Sequence, residues 1–329
     1  ASLVLKTARG YQGTPYLSYF DVLTAIAFQI FMTEKMEWVV LETGLGGLAD
    51  STNVTTKELC VLTKVGLDHQ EVLGNSLQEI ALEKIGITLP GIPVVVAEQV
   101  TELKPWLTEH LRKSNVPCYF VDEIFDTYFP ENKLSLEFSS KPRLACIQTS
   151  LCAMQVLFNG NSSEKQKWLA SAQKVRMRGR LDLRQNVFWG KHGKHFKTML
   201  FDGGHNFDAL TALVEFITTN KLVPCTLILG MAADKLDPAL RNPLRILCEK
   251  AGNLIFTPLP SPRSATPEAL ENFITECVNF EHSPEIKHSS SAEEAMEKVL
   301  LADEKPVVVA GSFYLVGEIM KILENGSAA

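Results

Sequence analysis

The sequence predicts an α/β fold built from two blocks of parallel βαβ units. In the amino-terminal block, short apolar runs alternate with amphipathic stretches, and several of the runs end on a polar residue. The same alternation returns from about residue 180. Strands that alternate with helices favour parallel sheets, because each crossover helix packs on a face of the sheet. We therefore expect a parallel-sheet domain over residues 1–178 and a smaller Rossmann-like domain over 179–329.

Local patterns place the elements of the first block. Residues 21–34 carry apolar side chains at helical spacing. Ser76 and Glu79 have the spacing of a capping box, which predicts the start of another helix. Residues 102–114 form a third helical pattern. Buried strands are predicted at three short apolar runs: 39–41, 60–65 and 92–97.

The second block repeats this organisation. A helix is predicted over 207–219, and Ser291 with Glu294 predicts the start of another over 292–301. Strands are predicted at four apolar runs: 199–202, 226–230, 253–257 and 307–310. We expect the two blocks to meet in the basic stretch near residues 175–182.

Composition excludes several classes of protein. The 329 residues are 46% hydrophobic and 21% charged, as in globular proteins with one or two domains. The net charge of −6 does not favour a nucleic-acid partner, and the sequence has no apolar stretch of membrane-span length. The seven cysteines are scattered, without a Cys-x-x-Cys pair. Free thiols in a reducing compartment are therefore predicted, in the cytoplasm or alternatively the mitochondrion, with a redox or zinc role as the lesser alternative.

Three candidate residues follow apolar runs of the first block. Glu42 precedes a glycine-rich turn, His69 ends the next run, and Lys84 lies near the end of a predicted helix. Open α/β sheets bind ligands at the carboxyl ends of their strands, where Glu42 and His69 are expected. Glu42 suits Mg²⁺ or, equally, the capping of nearby amides. His69 is a ligand or a structural hydrogen-bonding group, and Lys84 is a site residue or a cation that favours the helix dipole.

The second block has one such loop and a neighbouring arginine pair. Asp202, His205 and Asn206 follow a predicted strand and precede a helix, whose first amides could hold a phosphate or carboxylate. Capping of that helix is the alternative role for Asn206. Arg178 and Arg180 could clamp a phosphate, or could be solvated linker charges.

These residues lie in motifs that resemble folylpolyglutamate synthase and dihydrofolate synthase, members of the Mur ligase superfamily. The clearest strings are Leu41-Glu-Thr-Gly-Leu-Gly-Gly47 and Phe201-Asp-Gly-Gly-His-Asn206. The motifs keep their order along nearly the whole chain, at residues 18–28, 41–47, 50–53, 67–70, 73–74, 83–87, 179–181, 201–206, 233–235 and 310–315.

The resemblance implies a Mur ligase-like ATPase domain, incomplete at its amino end, followed by a Rossmann-like glutamate-ligase domain. It implies an ATP- and Mg²⁺-dependent ligase of folate metabolism. In such enzymes a folate or dihydropteroate carboxylate becomes an acyl phosphate, and the amine of L-glutamate then attacks it. The resemblance does not separate the folylpolyglutamate synthase activity from the dihydrofolate synthase activity.

The resemblance also implies roles for individual residues. It implies that Glu42, His69 and Lys84 bind magnesium and take part in catalysis, with Lys84 carbamylated. It implies that the nucleotide is contacted by Arg180, Asp202, His205 and Asn206. The pterin side of the substrate would be bound by Tyr19, Phe20, Asp50 and Ser51, and Ser312 would face the glutamate.

Three parts of the family pattern are missing or changed. The phosphate loop Gly-Thr-Asn-Gly-Lys-Gly-Ser does not occur in the sequence, nor does the folate-covering loop that follows it. We expect about 100 further residues before Ala1 in a complete ligase. After Gly47 the family usually has an arginine followed by Leu-Asp, whereas this sequence has Leu48-Ala49-Asp50. Residues 141–148 replace a string whose asparagine contacts adenine.

Three hypotheses remain open from the sequence. The chain belongs to a longer, active ligase; it is a pseudoenzyme that binds folate or regulates a partner; or it is half of a split ligase whose second chain supplies the phosphate loop. Because that loop makes most contacts to the β- and γ-phosphates, we expect the 329 residues by themselves to lack ligase activity.

Overall fold

The computed structural model describes residues 2–11, 16–130, 140–276, 284–301 and 305–325. Within these limits the chain forms two compact units, one from residues 2–130 and 145–173 and the other from 140–144 and 174–325. Both units combine helices with parallel strands, which confirms the α/β class predicted from the sequence.

The first unit contains a small parallel sheet. Its strands are β1 (Cys60–Leu62), β2 (Val94–Val96) and β3 (Cys118–Phe120), hydrogen-bonded in the order β1-β2-β3. Its helices are α1 (Ser2–Gly10), α2 (Tyr19–Thr33), α3 (Gln70–Leu73), α4 (Leu77–Ile85), α5 (Leu103–Lys113), α6 (Val121–Tyr128), α7 (Lys141–Phe158) and α8 (Ser162–Lys174). The division between the units falls within α7, after Leu144. The strands predicted at 60–65 and 92–97 are confirmed in shortened form, and the helix predicted at 102–114 is α5.

The predicted capping box of α4 is present. The backbone amide of Glu79 donates to the Ser76 hydroxyl (3.2 Å), and the Ser76 amide donates to the Glu79 carboxylate (3.0 Å). The hydroxyl therefore pairs one of the helix amides that has no carbonyl partner within the helix.

We expect Ser76→Ala to lower the free energy of unfolding by about 1 kcal/mol, because it removes the side-chain acceptor of the N-cap. Urea denaturation would measure the change. Ser171→Ala is the matched control, since Ser171 is an exposed residue within α8 and alanine favours helices. Equal destabilisation by both substitutions would contradict the assigned role of the Ser76 cap.

The prediction of a strand at residues 39–41 is wrong. The segment is irregular in the structure, and the side chain of Val40 is 97% exposed. In the described residues no strand pairs with it, and a strand is stable only when its backbone groups find partners across a ladder. The apolar pattern is that of a buried strand, but the pattern does not say whether a neighbouring strand is available.

Helix α2 is confirmed but is hardly buried. Of its fifteen residues only Thr24 is buried, although the helix is strongly apolar. Tyr19 is 81% exposed and Met32 is 76% exposed. Trp38 (52%), Val39 (39%) and Val40 (97%) are exposed as well, so apolar side chains of α2 and of residues 38–40 are accessible in the described part of this unit.

The second unit is built on a six-stranded sheet with the order β4-β5-β9-β6-β7-β8. Its strands are β4 (Asp182–Trp189), β5 (Lys194–Asp202), β6 (Cys225–Leu229), β7 (Ala251–Phe256), β8 (Glu285–His288) and β9 (Val307–Ala310). Its helices are α9 (Phe207–Thr219), α10 (Arg241–Glu249), α11 (Pro267–Thr275), α12 (Ala292–Leu300) and α13 (Phe313–Asn325). All pairs are parallel except β4 with β5. These elements confirm the strands and helices predicted for the second block.

Two hydrophobic cores cover the two faces of this sheet. Alternate strand residues point to opposite faces, so Leu200 packs with helices α9 to α11 while Met199 and Phe201 pack with α12 and α13. The helix that follows β9 therefore lies on the face opposite the helices that follow β5 and β6. Such a change of face opens a crevice at the carboxyl ends of the strands, which is where ligands bind in this architecture.

In the described part of the chain, no helix has the length and apolarity needed to cross a bilayer. The cysteines described there are free thiols. Burial raises the pKa of Cys118 to about 11 and that of Cys152 to about 12, so these thiols are weakly reactive.

Candidate functional site

The glycine-rich turn of the first unit is held by Asp50. Its Oδ2 accepts hydrogen bonds from the amides of Gly44 and Leu45, both at 3.0 Å. Its Oδ1 accepts from the amide (3.0 Å) and hydroxyl (2.6 Å) of Thr52. Partial burial disfavours the charged form, but these hydrogen bonds outweigh it and hold the pKa of Asp50 below its ordinary value. Asp50 therefore does the amide capping that the sequence left open for Glu42.

Glu42 is left exposed at the start of this turn. No hydrogen bond or ion pair of its carboxylate occurs among the described residues. A carboxylate that no protein group occupies can accept a cation or water. Of the two roles that the sequence allowed for Glu42, the capping role is thus filled by another residue.

The same turn packs against the end of α4, which carries Lys84. The Leu48 amide donates to the Glu83 carbonyl (3.0 Å). A Cβ at Gly47 would lie 2.6 Å from the carbonyl oxygen of Lys84, so only glycine permits this approach. Lys84 lies in the last turn of α4, as predicted, and its half-buried side chain has no hydrogen bond or ion pair within the described structure.

His69 lies directly before the short helix α3. Its backbone is left-handed, with a φ of 52°, which is uncommon for a residue other than glycine. The ring lies 3.9 Å from a carboxylate oxygen of Asp68 and 3.7 Å from one of Glu71. In the described residues, no hydrogen bond or ion pair joins Glu42, His69 and Lys84 to one another.

Ser51, one of the predicted pterin-side residues, is bound by a residue that the sequence analysis missed. Asp21, at the third position of α2, accepts the Ser51 hydroxyl at one carboxylate oxygen and the Ser18 amide (2.7 Å) at the other. The hydrogen bond from Ser51, with those from Ser18, lowers the pKa of Asp21. The Phe20 ring packs closely on the glycine-rich turn, since a Cβ added to Gly44 would lie 2.8 Å from the ring. The capping-box spacing of Ser18 and Asp21 could have indicated this residue.

The candidate ligands of the first unit fit a magnesium ion whose remaining ligands are oxygens of phosphate and water. Among the described residues, no group of three His, Cys, Asp or Glu side chains forms a preassembled metal site. Mg²⁺ is usually held by one or two carboxylates, with phosphate oxygens and water. The free carboxylate of Glu42 meets that need. The imidazole of His69 suits other metals better, and the ammonium of Lys84 cannot bind a cation unless it is modified.

Asp202 is the buried carboxylate of the second unit. It ends β5 and is 4% exposed. Its Oδ2 accepts the amide of Leu181 and its Oδ1 accepts the amide of Gly204, both at 2.8 Å. Burial raises the pKa of Asp202, although the two amides and the charge of Arg180 oppose the rise. Asp202 thus ties the loop before β4 to the loop after β5.

The loop after β5 is compact and needs its two glycines. A Cβ on Gly203 would lie 2.5 Å from the Phe313 ring, and one on Gly204 would lie 2.6 Å from Asp202. The His205 Nδ1 lies 3.0 Å from the carbonyl oxygen of Gly203. Asn206 accepts the Ala209 amide (3.0 Å) and so caps α9, which is the structural role that the sequence allowed for it.

The two arginines next to Gly179 differ in their partners. Arg178 forms an ion pair with Glu324 and is used structurally. Arg180 has no hydrogen bond or ion pair from its side chain among the described residues. Its guanidinium carbon instead lies 4.4 Å from the centre of the Phe313 ring. Its N–H donors are therefore available for an anion.

Ser312 and a second ion pair lie at the carboxyl ends of the neighbouring strands. Ser312 is 7% exposed, and its hydroxyl accepts the amide of Tyr314 (3.2 Å) at the start of α13. After β6 and β7, Asp234 pairs with Arg263 through two hydrogen bonds. The sequence analysis missed Arg263 and Phe313; both follow strands in the chain, which is the signal that could have indicated them.

Sequence comparisons identify related proteins along most of this chain. Residues 185–322 match the family described as the C-terminal domain of dihydrofolate synthetase. Dihydrofolate synthetase of Saccharomyces cerevisiae is 29% identical over 329 residues, which cover 92% of this chain and 75% of the yeast protein. Folylpolyglutamate synthase of Lacticaseibacillus casei is 27% identical, covering 94% of this chain and 72% of that protein. The chain thus spans about three quarters of the length of these curated relatives.

A solved structure shows the same fold. It is a bifunctional folylpolyglutamate synthase/dihydrofolate synthase of Yersinia pestis complexed with AMPPNP and a Mn ion. The TM-score is 0.76 at 24% identity, over 98% of this chain and 75% of that one. This likeness confirms the fold class predicted from the sequence.

Proposed function

We propose that this chain is part of a ligase of the folylpolyglutamate synthase and dihydrofolate synthase family, which uses ATP to join L-glutamate to a folate or dihydropteroate carboxylate. The observation that carries the proposal is the unpaired guanidinium of Arg180, which lies over Phe313 and whose charge acts on the buried Asp202. Free donors at a crevice of this kind suit a nucleotide phosphate. The relatives carry synthase names, which favours the ligase over a binding protein without activity.

The proposed reaction has two steps. In the first, a carboxylate oxygen of the acceptor attacks the γ-phosphorus of ATP, the bond to the bridging oxygen breaks, and ADP leaves. In the second, the neutral amine of glutamate attacks the acyl carbon, the carbon–oxygen bond to phosphate breaks, inorganic phosphate leaves, and the nitrogen releases one proton to water. Both steps gather anions, so cationic and N–H groups must hold them together.

This chain's residues take separate parts in the proposal. Arg180, His205 and the amides near Asn206 bind the nucleotide, and Asp202 holds their loop in shape. The pterin side of the acceptor is bound by Tyr19, Phe20, Asp50 and Ser51. Asp50 acts there through the turn that its hydrogen bonds stabilise, and Ser51 through its hydrogen bond to Asp21 of α2. Ser312 faces the incoming glutamate.

A bound magnesium ion would supply positive charge at the transferring phosphoryl group. Glu42 would hold it, with His69 beside it. Lys84, if carbamylated, would become an anionic oxygen ligand; as the free amine it would instead neutralise phosphate charge. The cytoplasmic placement indicated by the scattered cysteines also stays a prediction.

We place the phosphate loop of this ligase outside the 329 residues, in a preceding segment or a second chain. The exposed apolar side chains of α2 and residues 38–40 support this placement, since exposed apolar patches mark sites of interaction.

Glutamate incorporation tests the proposed function. The 329-residue chain is incubated with ATP, Mg²⁺, labelled L-glutamate and either dihydropteroate or a reduced folate, by itself and together with the phosphate-loop segment of the yeast or Lacticaseibacillus relative. We expect amide product and ADP in equal amounts only when the segment is present. Glu42→Gln should remove this activity, while the equally exposed Glu37→Gln should keep it.

Different failures would reject different parts of the proposal. Product formed by the chain without the segment would show that our placement of the phosphate loop is wrong and leave the ligase assignment intact. A complemented chain that binds ATP yet forms no amide with either acceptor would contradict the ligase assignment.

A further inference from the structure

We propose that Phe313 is a positioning residue for anion binding, because its ring holds the guanidinium of Arg180 in place while leaving the N–H donors free. The inference rests on the proposed function in one respect: the anion is taken to be a nucleotide phosphate. Nothing in the family motifs assigns a role to this ring, whose neighbour Ser312 is the residue that the resemblance implicates.

The ring is wedged between the two motif loops of the second unit. A Cβ on Gly203 would come within 2.5 Å of it, and one on Gly179 within 3.4 Å. The same two glycines are joined directly, since the amide of Gly203 donates to the carbonyl of Gly179 (2.8 Å). The ring therefore contacts both loops on which Arg180 and Asp202 are carried.

Arg180 lies over this ring at 4.4 Å. A guanidinium stacked on an aromatic face keeps its donors in the plane of the group, where a phosphate can approach them. Stacking also limits the rotamers of a long side chain, so less freedom is lost when an anion binds.

Neighbouring arginines show the contrast. Arg184 also lies over a ring, that of Phe201, but its donors are taken up by Asp182, with a hydrogen bond of 2.7 Å. Arg178 and Arg263 are paired with Glu324 and Asp234. Arg180 combines an aromatic support with unused donors, which is the arrangement of a binding group and not of a structural ion pair.

The exposure of Phe313 argues against a purely structural role. The residue is 40% exposed, unlike the fully buried Leu315 that follows it in α13. Replacing the ring with leucine retains an apolar side chain of similar reach and removes the aromatic face. Phe313→Leu and Phe313→Tyr therefore separate aromatic support from simple packing.

The test uses the 329-residue chain and two readouts. In the absence of ligand, the side-chain Hδ and Hε resonances of Arg180 should be shifted upfield by the ring, as seen by NMR with Arg180→Lys for assignment. The shift should persist in Phe313→Tyr and disappear in Phe313→Leu. In an ADP titration followed by NMR, Phe313→Leu should weaken binding about two- to fivefold, the range for one exposed cation–π contact, and Phe313→Tyr should restore it.

Two controls separate positioning from stability. Phe188→Leu removes a ring of matched exposure that packs against His195 and, in the described residues, has no arginine over it, so it should leave ADP affinity unchanged. In an Arg180→Ala background, Phe313→Leu should have no further effect on ADP affinity, because the ring acts through the guanidinium. A merely structural role would lower affinity equally in both backgrounds.

Each outcome decides the inference. An unshifted Arg180 resonance in the wild type, or equal ADP affinity for the wild type and Phe313→Leu, would overturn it. Should the wild type fail to bind ADP even with the phosphate-loop segment added, the nucleotide role of Arg180 would be wrong. The resonance shift and its loss in Phe313→Leu would then still decide whether the ring positions the guanidinium.

Discussion

Replacing Asp202 by alanine is expected to lower the free energy of unfolding of the second unit by about 3 kcal/mol. The carboxylate is 4% exposed and accepts the amides of Leu181 and Gly204. Without it, two amides lose a charged acceptor, and hydrogen bonds to charged groups contribute about 1.5–3 kcal/mol each. Because burying the charge already costs part of this, the net loss lies below the sum.

Chemical denaturation followed by circular dichroism would measure the loss. Glu318→Ala is the control in the same unit, since Glu318 makes only an exposed ion pair of 3.5 Å with Lys321. A change in Asp202→Ala no larger than in this control would show that the carboxylate does not hold the two loops.

The raised pKa of Asp202 makes this stability depend on pH. Its folded value lies above the ordinary 3.8, so the folded state binds a proton more tightly than the unfolded state does. The stability that proton binding at Asp202 contributes is fully present below pH 3.8, and it is lost as the pH rises through the pKa of Asp202 in the folded state. Asp202→Asn, which resembles the protonated acid, lacks this dependence. We therefore expect the advantage of the wild type over Asp202→Asn to be largest in acid and to shrink toward neutral pH; a growing advantage would contradict the sign.

Replacing Gly47 by alanine should cost about 2 kcal/mol, within the range for overpacking. The added Cβ would lie 2.6 Å from the carbonyl oxygen of Lys84 and 2.7 Å from that of Glu83. These atoms belong to the backbone of α4 and cannot move like a flexible side chain. The turn that follows Glu42 must then move away from the helix that carries Lys84.

Gly317→Ala is the matched control for this prediction. Gly317 lies within α13, and nothing stands within 4 Å of the position of its Cβ. Alanine there should stabilise the protein by about 0.5–1 kcal/mol, because glycine loses more backbone freedom in a helix. Thermal unfolding of both variants gives the comparison, and a neutral Gly47→Ala would show that the turn does not depend on this close contact.

Elements with a local cause were predicted well. Helix α9 follows from its apolar spacing and from Asn206 at its start, and β9 follows from a run of valines. Both signals lie within a few residues of the element that they specify. The run at 39–41 has the same kind of signal, yet it is not a strand, because pairing depends on a neighbour that lies elsewhere in the chain or outside it.

The candidate site divides in the same way. Motif order along the chain was sufficient to indicate Glu42, His69, Lys84 and Asp202 as candidates, and their proposed roles remain to be measured. Which carboxylate caps the glycine-rich turn could not be predicted, because Glu42 and Asp50 are both within reach of it in sequence. The distances between amide and carboxylate show that Asp50 does so.

By itself the sequence indicated the family resemblance, the alternation of strands and helices, and the loops that carry the polar motifs, since all of these follow from residue order and short-range periodicity. Only the tertiary structure decided how the side chains of those loops are used. Arg178 and Arg180 are two residues apart, yet one is paired with Glu324 and the other is supported by Phe313. Both partners lie more than a hundred residues away in the chain and are brought to the arginines by the packing of α13 against the sheet, which no local pattern encodes.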